Sequence, residues 1–132
     1  MKIYVTYCSA KKDDLLKNTG KKVTPDKLYT SERIQRFIKR CKEKHVNWAI
    51  FSDLHGVWFP QIRHGWYEKA PDTVAEQEFR KLLANFDEKL APYDELWFYC
   101  NLGRFHPLYK RLLQETKLKE RVRLFTHVKE IK

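Results

Sequence analysis

The sequence predicts an α/β protein, with helices on both sides of a mostly parallel sheet of four strands. Two observations support this fold class. Short runs of β-branched and aromatic residues alternate along the chain with stretches whose apolar residues recur at helical spacing. The chain of 132 residues is long enough for one hydrophobic core and short for two. We therefore expect one Rossmann-like domain over residues 1–132, a three-layer sandwich with strand order 2-1-3-4.

The first strand is expected to span about residues 2–8, where Ile3 and Val5 favour extended structure. A loop over residues 9–29 follows it. Loops between a strand and a helix usually have about 2–6 residues. The long loop is therefore either a lid or binding loop, or a locally mobile segment.

The first long helix is expected to begin after a cap at Thr30 or Ser31. Its apolar residues follow the i, i+3, i+4, i+7 pattern, which makes Cys41 a core residue rather than a reactive one. These residues are Ile34, Phe37, Ile38 and Cys41. A second strand is expected over about residues 47–52.

The second half of the chain is expected to contain two helices and two strands. Thr73 through Glu76 has the pattern of a capping box for the second helix, which ends before Pro92. A third strand over about residues 95–100 leads to a helix with Pro107 in its first turn. Alternating residues over 121–128 are typical of a last, edge strand.

The net charge of +10 and the isoelectric point of about 9.6 imply attraction to polyanions, of which nucleic acid is the default. The excess charge is concentrated on the first long helix, which suggests a basic stripe that binds nucleic acid. The residues of this predicted stripe are Arg33, Arg36, Arg40 and Lys44. The alternative is a solvated surface that binds no partner, as in charge-rich proteins from hot environments.

Each of the first three predicted strands ends in small, reactive or hydroxylated residues. In parallel strands these ends meet at one edge of the sheet, where open α/β sheets bind ligands. In the expected strand order, Cys8 and Cys100 flank the crevice where the winding direction reverses, and Ser52 lies one strand away.

Three short blocks of the chain resemble the YaaA-like group of proteins. The block Ile50–Val57, followed by Pro60 and Tyr67, resembles a strand, serine, glycine, proline and tyrosine pattern of that group. Residues 8–12 (CSAKK) and 28–31 (LYTS) are similar to two further segments of it. The resemblance covers about 70 residues and implies an α/β fold with work on nucleic acid or nucleobases.

This chain departs from the pattern of the group in two places. His55 stands where the group usually has tyrosine, and Trp66 stands where proline is usual. The chain is also much shorter than the larger members, so a DNA-binding insertion of those members is not carried over to this chain.

Candidate catalytic residues lie at the predicted strand ends. Cys8 beside Lys11 or Lys12 could be a thiolate whose pKa is lowered by cations, or a packed thiol. Ser52 and Asp53, with His55, are the residue types of a hydrolase triad, but their spacing matches no nucleophile elbow. A turn in which the Ser52 hydroxyl and backbone N–H groups face a ligand fits this segment better.

The best candidate anion site is the turn from Asn101 to Arg104, where we expect the third long helix to open. Free N–H groups at a helix start and the guanidinium of Arg104 attract phosphate or carboxylate, although an ordinary turn with a solvated arginine is an equal alternative. The candidate ligand-binding residues are Ser9, Lys11, Lys12, His55, Gly56, Tyr67, Asn101, Gly103 and Arg104. Aromatic residues at 58, 59, 66 and 67 could stack on bases or clamp the long loop to the core.

Two functions are compatible with these observations. The first is binding of nucleic acid, or of a nucleotide or other phosphate-bearing ligand, with or without base or nucleotide processing. The second is a small-molecule α/β enzyme or ligand-binding protein unrelated to nucleic acid. We expect no metal, because the histidines show no ligand spacing, and no cofactor. Three isolated cysteines and the lack of an apolar span predict reduced thiols in a cytoplasmic protein.

Overall fold

The computed structural model describes the backbone of residues 1–132 and the side chains of all of them except Leu102. The strands are β1 (Lys2–Tyr7), β2 (Trp48–Ser52), β3 (Gly56–Trp58), β4 (Glu95–Tyr99) and β5 (Val122–Phe125). The α-helices are α1 (Pro25–Leu28), α2 (Glu32–Lys44), α3 (Glu76–Leu90) and α4 (Pro107–Glu115).

The five strands form one sheet in the order β3-β2-β1-β4-β5. Four of them are parallel, and they have the order predicted from the sequence. In the centre, Tyr4 is opposite Trp48 on β2 and Trp97 on β4. β1 therefore has a parallel neighbour on each side, and the winding direction reverses between β1 and β4.

The expectation of a four-stranded sheet is wrong, because β3 adds a fifth strand and makes the sheet mixed. β3 pairs antiparallel with β2, with Ser52 opposite Gly56 and Ile50 opposite Trp58. The short turn over residues 53–55 returns the chain along the edge of β2. Three residues are too few for a period-2 pattern to be recognised, so the sequence did not indicate this strand.

Side chains alternate between the two faces of the sheet, and helices cover both. On β1, Ile3, Val5 and Tyr7 belong to a core with residues of α3 and α4. Tyr4 and Cys8 belong to a second core with residues of α2. The helices on opposite faces give the three layers expected of the fold.

α2 forms as its sequence predicts. The Ser31 hydroxyl caps it by accepting a hydrogen bond from the Ile34 amide at 3.4 Å. The whole predicted apolar stripe is buried, and Cys41 is fully enclosed in the core. His45 ends the helix in the left-handed conformation, with φ of 54°.

The start of α3 differs from the prediction. Thr73 lies in a separate 3-10 turn over residues 71–73, where its hydroxyl donates back to the Ala70 carbonyl at 2.7 Å. The helix begins at Glu76, and the Glu78 carboxylate accepts from the Ala75 amide at 3.0 Å. The Thr73 hydroxyl is therefore hydrogen-bonded within the preceding turn and does not cap the helix.

The long loop over residues 9–29 is folded onto the domain. It contains the single-turn helix α1, and two isolated bridges fasten it, one between Lys12 and Tyr29 and one between Val23 and His64. In the second bridge each backbone amide donates to the partner's carbonyl at 2.9 Å. The loop thereby covers the carboxyl ends of β1 and β2.

The last strand, β5, forms an edge of the sheet as expected but is shorter than predicted, because residues 126–128 leave the ladder. The chain then crosses to α2, where Arg40 donates to the carbonyls of Ile131 and Lys129. Among the described residues, no helix combines the length and the apolar character that a membrane crossing would need.

Replacing Gly56 by alanine should destabilise the protein by more than the roughly 1–3 kcal/mol that a strained backbone position usually costs. Gly56 has φ of 75°, and a Cβ there would lie 2.3 Å from Oδ1 of Asn85. That oxygen accepts from the Val57 amide at 2.8 Å, so moving it disturbs β3. The midpoint of urea unfolding measures the loss.

The matched control is Gly20→Ala. Gly20 has a similar φ of 73°, but a Cβ there meets nothing within 4 Å. The difference between the two variants isolates the contact with Asn85 from the backbone strain. Equal losses for the two variants would contradict this account.

Candidate functional site

The polar ends of the parallel strands lie at one edge of the sheet. The register sets Thr6 opposite Tyr99 and Tyr7 opposite Phe51. The amide of Cys8 continues the ladder by donating to the Phe51 carbonyl at 2.9 Å. The segments that begin at Cys8, Ser52 and Cys100 therefore start from the same end of the sheet.

Two adjoining cavities lie at this edge. The smaller is between the carboxyl ends of β1 and β4, and the larger is between the ends of β4 and β5, where Thr126 lines it. The larger has a volume of about 570 Å³ and is lined in part by Arg36, Tyr99 and Gly103. The smaller, of about 370 Å³, is lined in part by Ser9, Ser31 and Arg104. Both also contact Glu32, Arg33 and Asn101. We call the two cavities together the switch-point cleft.

Arg33 forms the wall that the two cavities share. Its guanidinium donates to the Thr6 hydroxyl at 2.7 Å and to the carbonyls of Tyr7 and Cys8 at 2.8 and 3.2 Å. The guanidinium carbon also lies 3.8 Å from the centre of the Tyr7 ring. Burial lowers the pKa of Arg33, but a guanidinium stays protonated in proteins. No ion pair of Arg33 occurs among the described side chains.

Two further arginines line the cleft. Arg36 forms an ion pair with Glu32, one turn earlier on α2. Arg104 is exposed at the mouth of the smaller cavity. The cleft thus has three guanidinium groups and one carboxylate.

The turn from Asn101 to Arg104 does not open α4, so the predicted use of helix-start amides there is wrong. Residues 102–104 form a separate 3-10 turn, in which the Asn101 side chain accepts from the Gly103 amide at 3.1 Å. α4 begins at Pro107, and Nδ1 of His106 accepts from the Leu108 amide at 3.0 Å. Proline sets the helix start, and the His106 side chain caps it.

The predicted basic stripe on α2 does not form one open surface. Arg33 points to the sheet edge, and Arg40 is bound to the carbonyls of the C-terminal segment. Arg36 faces the cleft, and Lys44 is exposed at the far end of the helix. Backbone carbonyls near α2 use two of the four cations as hydrogen-bond donors, which helical spacing alone could not indicate.

A second polar region lies beside the cleft, under the long loop. We call it the buried cluster, and its members are Cys8, Lys12, Tyr29, Ser52, Asp53, Tyr67 and Tyr109. Each is 8% exposed or less. Polar side chains so enclosed are unusual and must satisfy one another.

Ser52 anchors the turn into β3. Its hydroxyl oxygen accepts from the amides of Leu54 and His55 at 3.2 and 3.0 Å, and its O–H donates to the Tyr67 hydroxyl at 2.9 Å. Tyr67 in turn bonds to the Tyr29 hydroxyl. Ser52 and these amides are thus bonded within the protein and do not face a ligand. A catalytic role for Ser52 stays a prediction.

Cys8 is a neutral thiol rather than a thiolate. Burial, and next the charge of Asp53, raise its pKa to about 12. Its sulfur accepts from the Asp53 amide at 3.4 Å and lies 3.7 Å from the Tyr109 hydroxyl. The hypothesis of a thiolate with a low pKa is wrong, because burial beside a carboxyl group opposes ionisation more than Lys12 favours it. The neighbouring Lys11 is exposed.

Asp53 lies at the boundary of the buried cluster. Its Oδ1 accepts from the Tyr109 hydroxyl at 2.7 Å, and burial raises its pKa. The residue also lines a separate cavity of about 330 Å³ with His55 and Asn85. A buried carboxyl with a raised pKa at a cavity wall is suited to acid–base chemistry.

The buried cluster includes residues that the sequence did not indicate. Tyr109 is buried on α4 beside Leu112 and Leu113, and a tyrosine among the leucines of a helix carries no sequence signal of a polar partner. Tyr29 was noted only for its segment. Their burial with polar partners requires contacts between distant parts of the chain, such as the one between Asp53 and Tyr109.

The aromatic residues after β3 hold the long loop against the domain. Trp58 is fully buried, and its indole N–H donates to the Ile62 carbonyl at 2.8 Å. Tyr67 is buried, whereas Phe59 and Trp66 are half-buried at the edges of the two cores. This arrangement agrees with the second of the two roles considered for these aromatic residues, in which they hold the long loop against the core and do not stack on bases.

His55 stacks on His64 with ring centres 3.7 Å apart and an angle of 4° between the planes. Trp58 and Tyr67 meet the His55 ring edge to face. Burial, and next the charge of His64, lower the pKa of His55 to about 4. The pair is thus neutral at pH 7 and links the turn after β2 to the residues that hold the long loop.

Within the described residues, no group of three or more His, Cys, Asp or Glu side chains could hold a metal ion.

Comparison of the chain with protein-family models, curated proteins and solved structures finds no match in any of the three. The resemblance to the YaaA-like group therefore stays a prediction.

Cys8 should react very slowly with iodoacetamide in the folded protein at pH 7.5, because only the thiolate is a good nucleophile. Peptide mass spectrometry measures the rate with and without urea. The rate should rise as the protein unfolds, and the exposed thiol in urea is the internal reference. Rapid labelling of Cys8 in the native protein would contradict the neutral, buried thiol.

The His55–His64 pair should make the protein less stable in acid. The pKa of His55 is about 4 in the folded state against an ordinary 6.5. The unfolded chain therefore binds the proton more strongly between these values. The free energy of folding that the neutral His55 imidazole contributes is present above pH 6.5 and is lost as the pH falls towards 4. The decrease in Tm from pH 7 to pH 4.5 measures it.

His55→Gln should flatten this decrease, whereas His127→Gln, at an exposed histidine, should leave the slope unchanged. Comparing slopes removes the contribution of carboxyl groups, which titrate in all three proteins. The same slope in His55→Gln and the unaltered protein would rule out this role of the pair.

Proposed function

We propose that this protein binds a phosphate-bearing ligand of the nucleotide type in the switch-point cleft. The observation that carries the proposal is the position of Arg33. Its charge lies at the wall shared by both cavities and has no carboxylate partner among the described side chains. A positive charge held rigidly at a cavity wall attracts an anion without further ordering of the side chain.

The other charges of the cleft support an anionic ligand. Arg104 is exposed at the smaller cavity, and Arg36 lines the larger one. The Glu32 carboxylate offsets Arg36, which leaves a net positive cleft on a protein of net charge +10. Guanidinium groups bind phosphate through paired, charge-assisted hydrogen bonds.

The shape and lining of the cleft support a ligand larger than phosphate. Its two cavities, of about 570 and 370 Å³, are within the usual range for small-molecule sites. The Tyr99 ring lines the larger cavity and stacks on Phe37 with a centre distance of 5.9 Å and an angle of 5°. A fixed aromatic ring beside an anion site suits a nucleobase joined to a phosphate.

The position of the cleft also supports the proposal. Its smaller cavity lies between β1 and β4, where the winding of the sheet reverses, and open α/β sheets bind ligands at this point. The phosphate could belong to a free nucleotide or to a nucleic-acid strand, and the two sources share the same contact chemistry.

The buried cluster favours a second candidate function, a small-molecule α/β enzyme. Asp53, with its raised pKa, lines a cavity of its own, apart from the switch-point cleft. Such a carboxyl group is the type of residue that acts in acid–base catalysis.

Arg104→Ala should weaken nucleotide binding about tenfold or more, since a hydrogen bond to a charged group contributes roughly 1.5–3 kcal/mol. Isothermal titration calorimetry with AMP, ATP and inorganic phosphate measures the change. Arg63→Ala is the control, because Arg63 is exposed, does not line the cleft and carries the same charge. Equal losses at the two arginines, or no binding to the unaltered protein, would refute the proposal.

A salt titration with single-stranded DNA and RNA separates the two sources of phosphate. Binding of a strand across many phosphates should weaken steeply with salt, because counterions are released. Binding of a mononucleotide in the cleft should show a much shallower slope. A steep slope that Arg104→Ala leaves unchanged would place nucleic acid elsewhere on the protein.

A further inference from the structure

Glu32 is a carboxylate that contacts both parts of the switch-point cleft. It is the first residue of α2, and it lines the larger and the smaller cavity together with Arg33 and Asn101. Among the described residues that line the two cavities, no other is acidic. A carboxylate inside a site for an anion repels the ligand unless the ligand also offers hydrogen-bond donors to it.

The smaller cavity suits the phosphate of a ligand. Two arginines and two serines line it, and they are Arg33, Arg104, Ser9 and Ser31. Each serine oxygen accepts from a nearby backbone amide, at 3.2 Å for Ser9 and 3.4 Å for Ser31. Neither hydroxyl donates to another of the described residues, so each can donate to a ligand. Guanidinium and hydroxyl donors together match the acceptor oxygens of a phosphate.

The larger cavity suits an uncharged, planar group. Tyr99 lines this cavity and not the smaller one, and packing on Phe37 holds its ring in place. The polar side chains of Asn101 and Thr126 belong to the same lining. An aromatic surface with a few polar groups is typical of a site for a nucleobase.

Glu32 lies between these two ends, because it lines both cavities. The part of a nucleotide between its phosphate and its base is the sugar. A ribose carries two adjacent hydroxyl groups, and the two oxygens of one carboxylate can accept from both. Glu32 also pairs with Arg36, but its side chain is 75% exposed. Exposed ion pairs are weak, and a carboxylate has further acceptor positions, so the pair leaves Glu32 able to bind the ribose.

We propose that the switch-point cleft selects a free ribonucleoside 5′-monophosphate, and that Glu32 recognises the two hydroxyl groups of its ribose. This inference rests on the proposed function and names the ligand class of the same site. Inside an RNA strand the 3′ oxygen is esterified, and in DNA the 2′ hydroxyl is absent. A free ribonucleotide therefore gives Glu32 both donors, whereas the inner nucleotides of either strand leave the carboxylate short of one.

The test is isothermal titration calorimetry with AMP, 2′-deoxy-AMP and 3′-deoxy-AMP. Each deoxy compound should bind the unaltered protein about tenfold more weakly than AMP, because each lacks one hydrogen bond to a charged acceptor. The three ligands have the same phosphate and the same base, so the comparison isolates the contact with the ribose.

Glu32→Gln keeps the size of the side chain and removes its charge. It should weaken the binding of AMP about tenfold and leave that of 2′-deoxy-AMP nearly unchanged, since the two changes remove the same contact and do not add. Inorganic phosphate should bind this variant at least as tightly as the unaltered protein, because the repulsion by the carboxylate is gone. Glu88→Gln is the matched control, because Glu88 is an exposed carboxylate on α3 outside both cavities. It should keep the full preference for AMP.

Two kinds of failure are distinguishable. Equal affinity of the unaltered protein for AMP and both deoxy compounds would overturn the role of Glu32, even where Arg104→Ala weakens all three and the nucleotide site stands. A preference for AMP that persists in Glu32→Gln would overturn it in the same way. No binding of AMP, its deoxy forms or phosphate would refute the proposed function, and this inference with it.

Discussion

The carboxyl end of β1 is the point on which the rest of this structure depends. β1 has parallel neighbours on both sides, and the helices that follow β1 and β4 pack on opposite faces of the sheet. The carbonyls of Tyr7 and Cys8 then need donors from elsewhere, because an unpaired buried carbonyl is costly. Arg33, from the first turn of α2, supplies those donors. One side chain thus completes the central strand and brings a positive charge to the cleft.

The long loop creates a second environment at the same edge. It is fastened there by the bridge between Lys12 and Tyr29, and Cys8, Lys12 and Asp53 at this edge are all buried. Burial disfavours the charged form of every group, so it moves the thiol and carboxyl pKa values up and the amine pKa down. The switch-point cleft keeps its guanidinium charges, whereas the buried cluster reduces the charge on its groups. The two regions therefore suit different chemistry although they are neighbours.

The buried residues of the turn after β2 have a structural role. Ser52 uses its hydroxyl to hold the turn, and Gly56 supplies a positive φ that returns the chain as β3. The stacked imidazoles of His55 and His64 lie against this turn. These residues form a rigid support for Tyr67, whose ring lies beside the Lys12 amine.

The sequence by itself determined the elements that depend on neighbouring residues. Helical spacing and the Ser31 cap predicted α2, apolar runs predicted the four parallel strands, and their alternation with helices predicted the strand order. It also predicted that the polar strand ends share one edge, because this follows from parallel pairing.

The tertiary structure decided what each polar side chain contacts. The sequence could not distinguish Lys11 from Lys12, since only the bridge to Tyr29 turns one of them inward. It could not assign Arg33 to the sheet edge or pair Asp53 with Tyr109, because those contacts join residues 25 and 56 positions apart. Protonation depends on burial, and burial depends on how distant segments of the chain pack together.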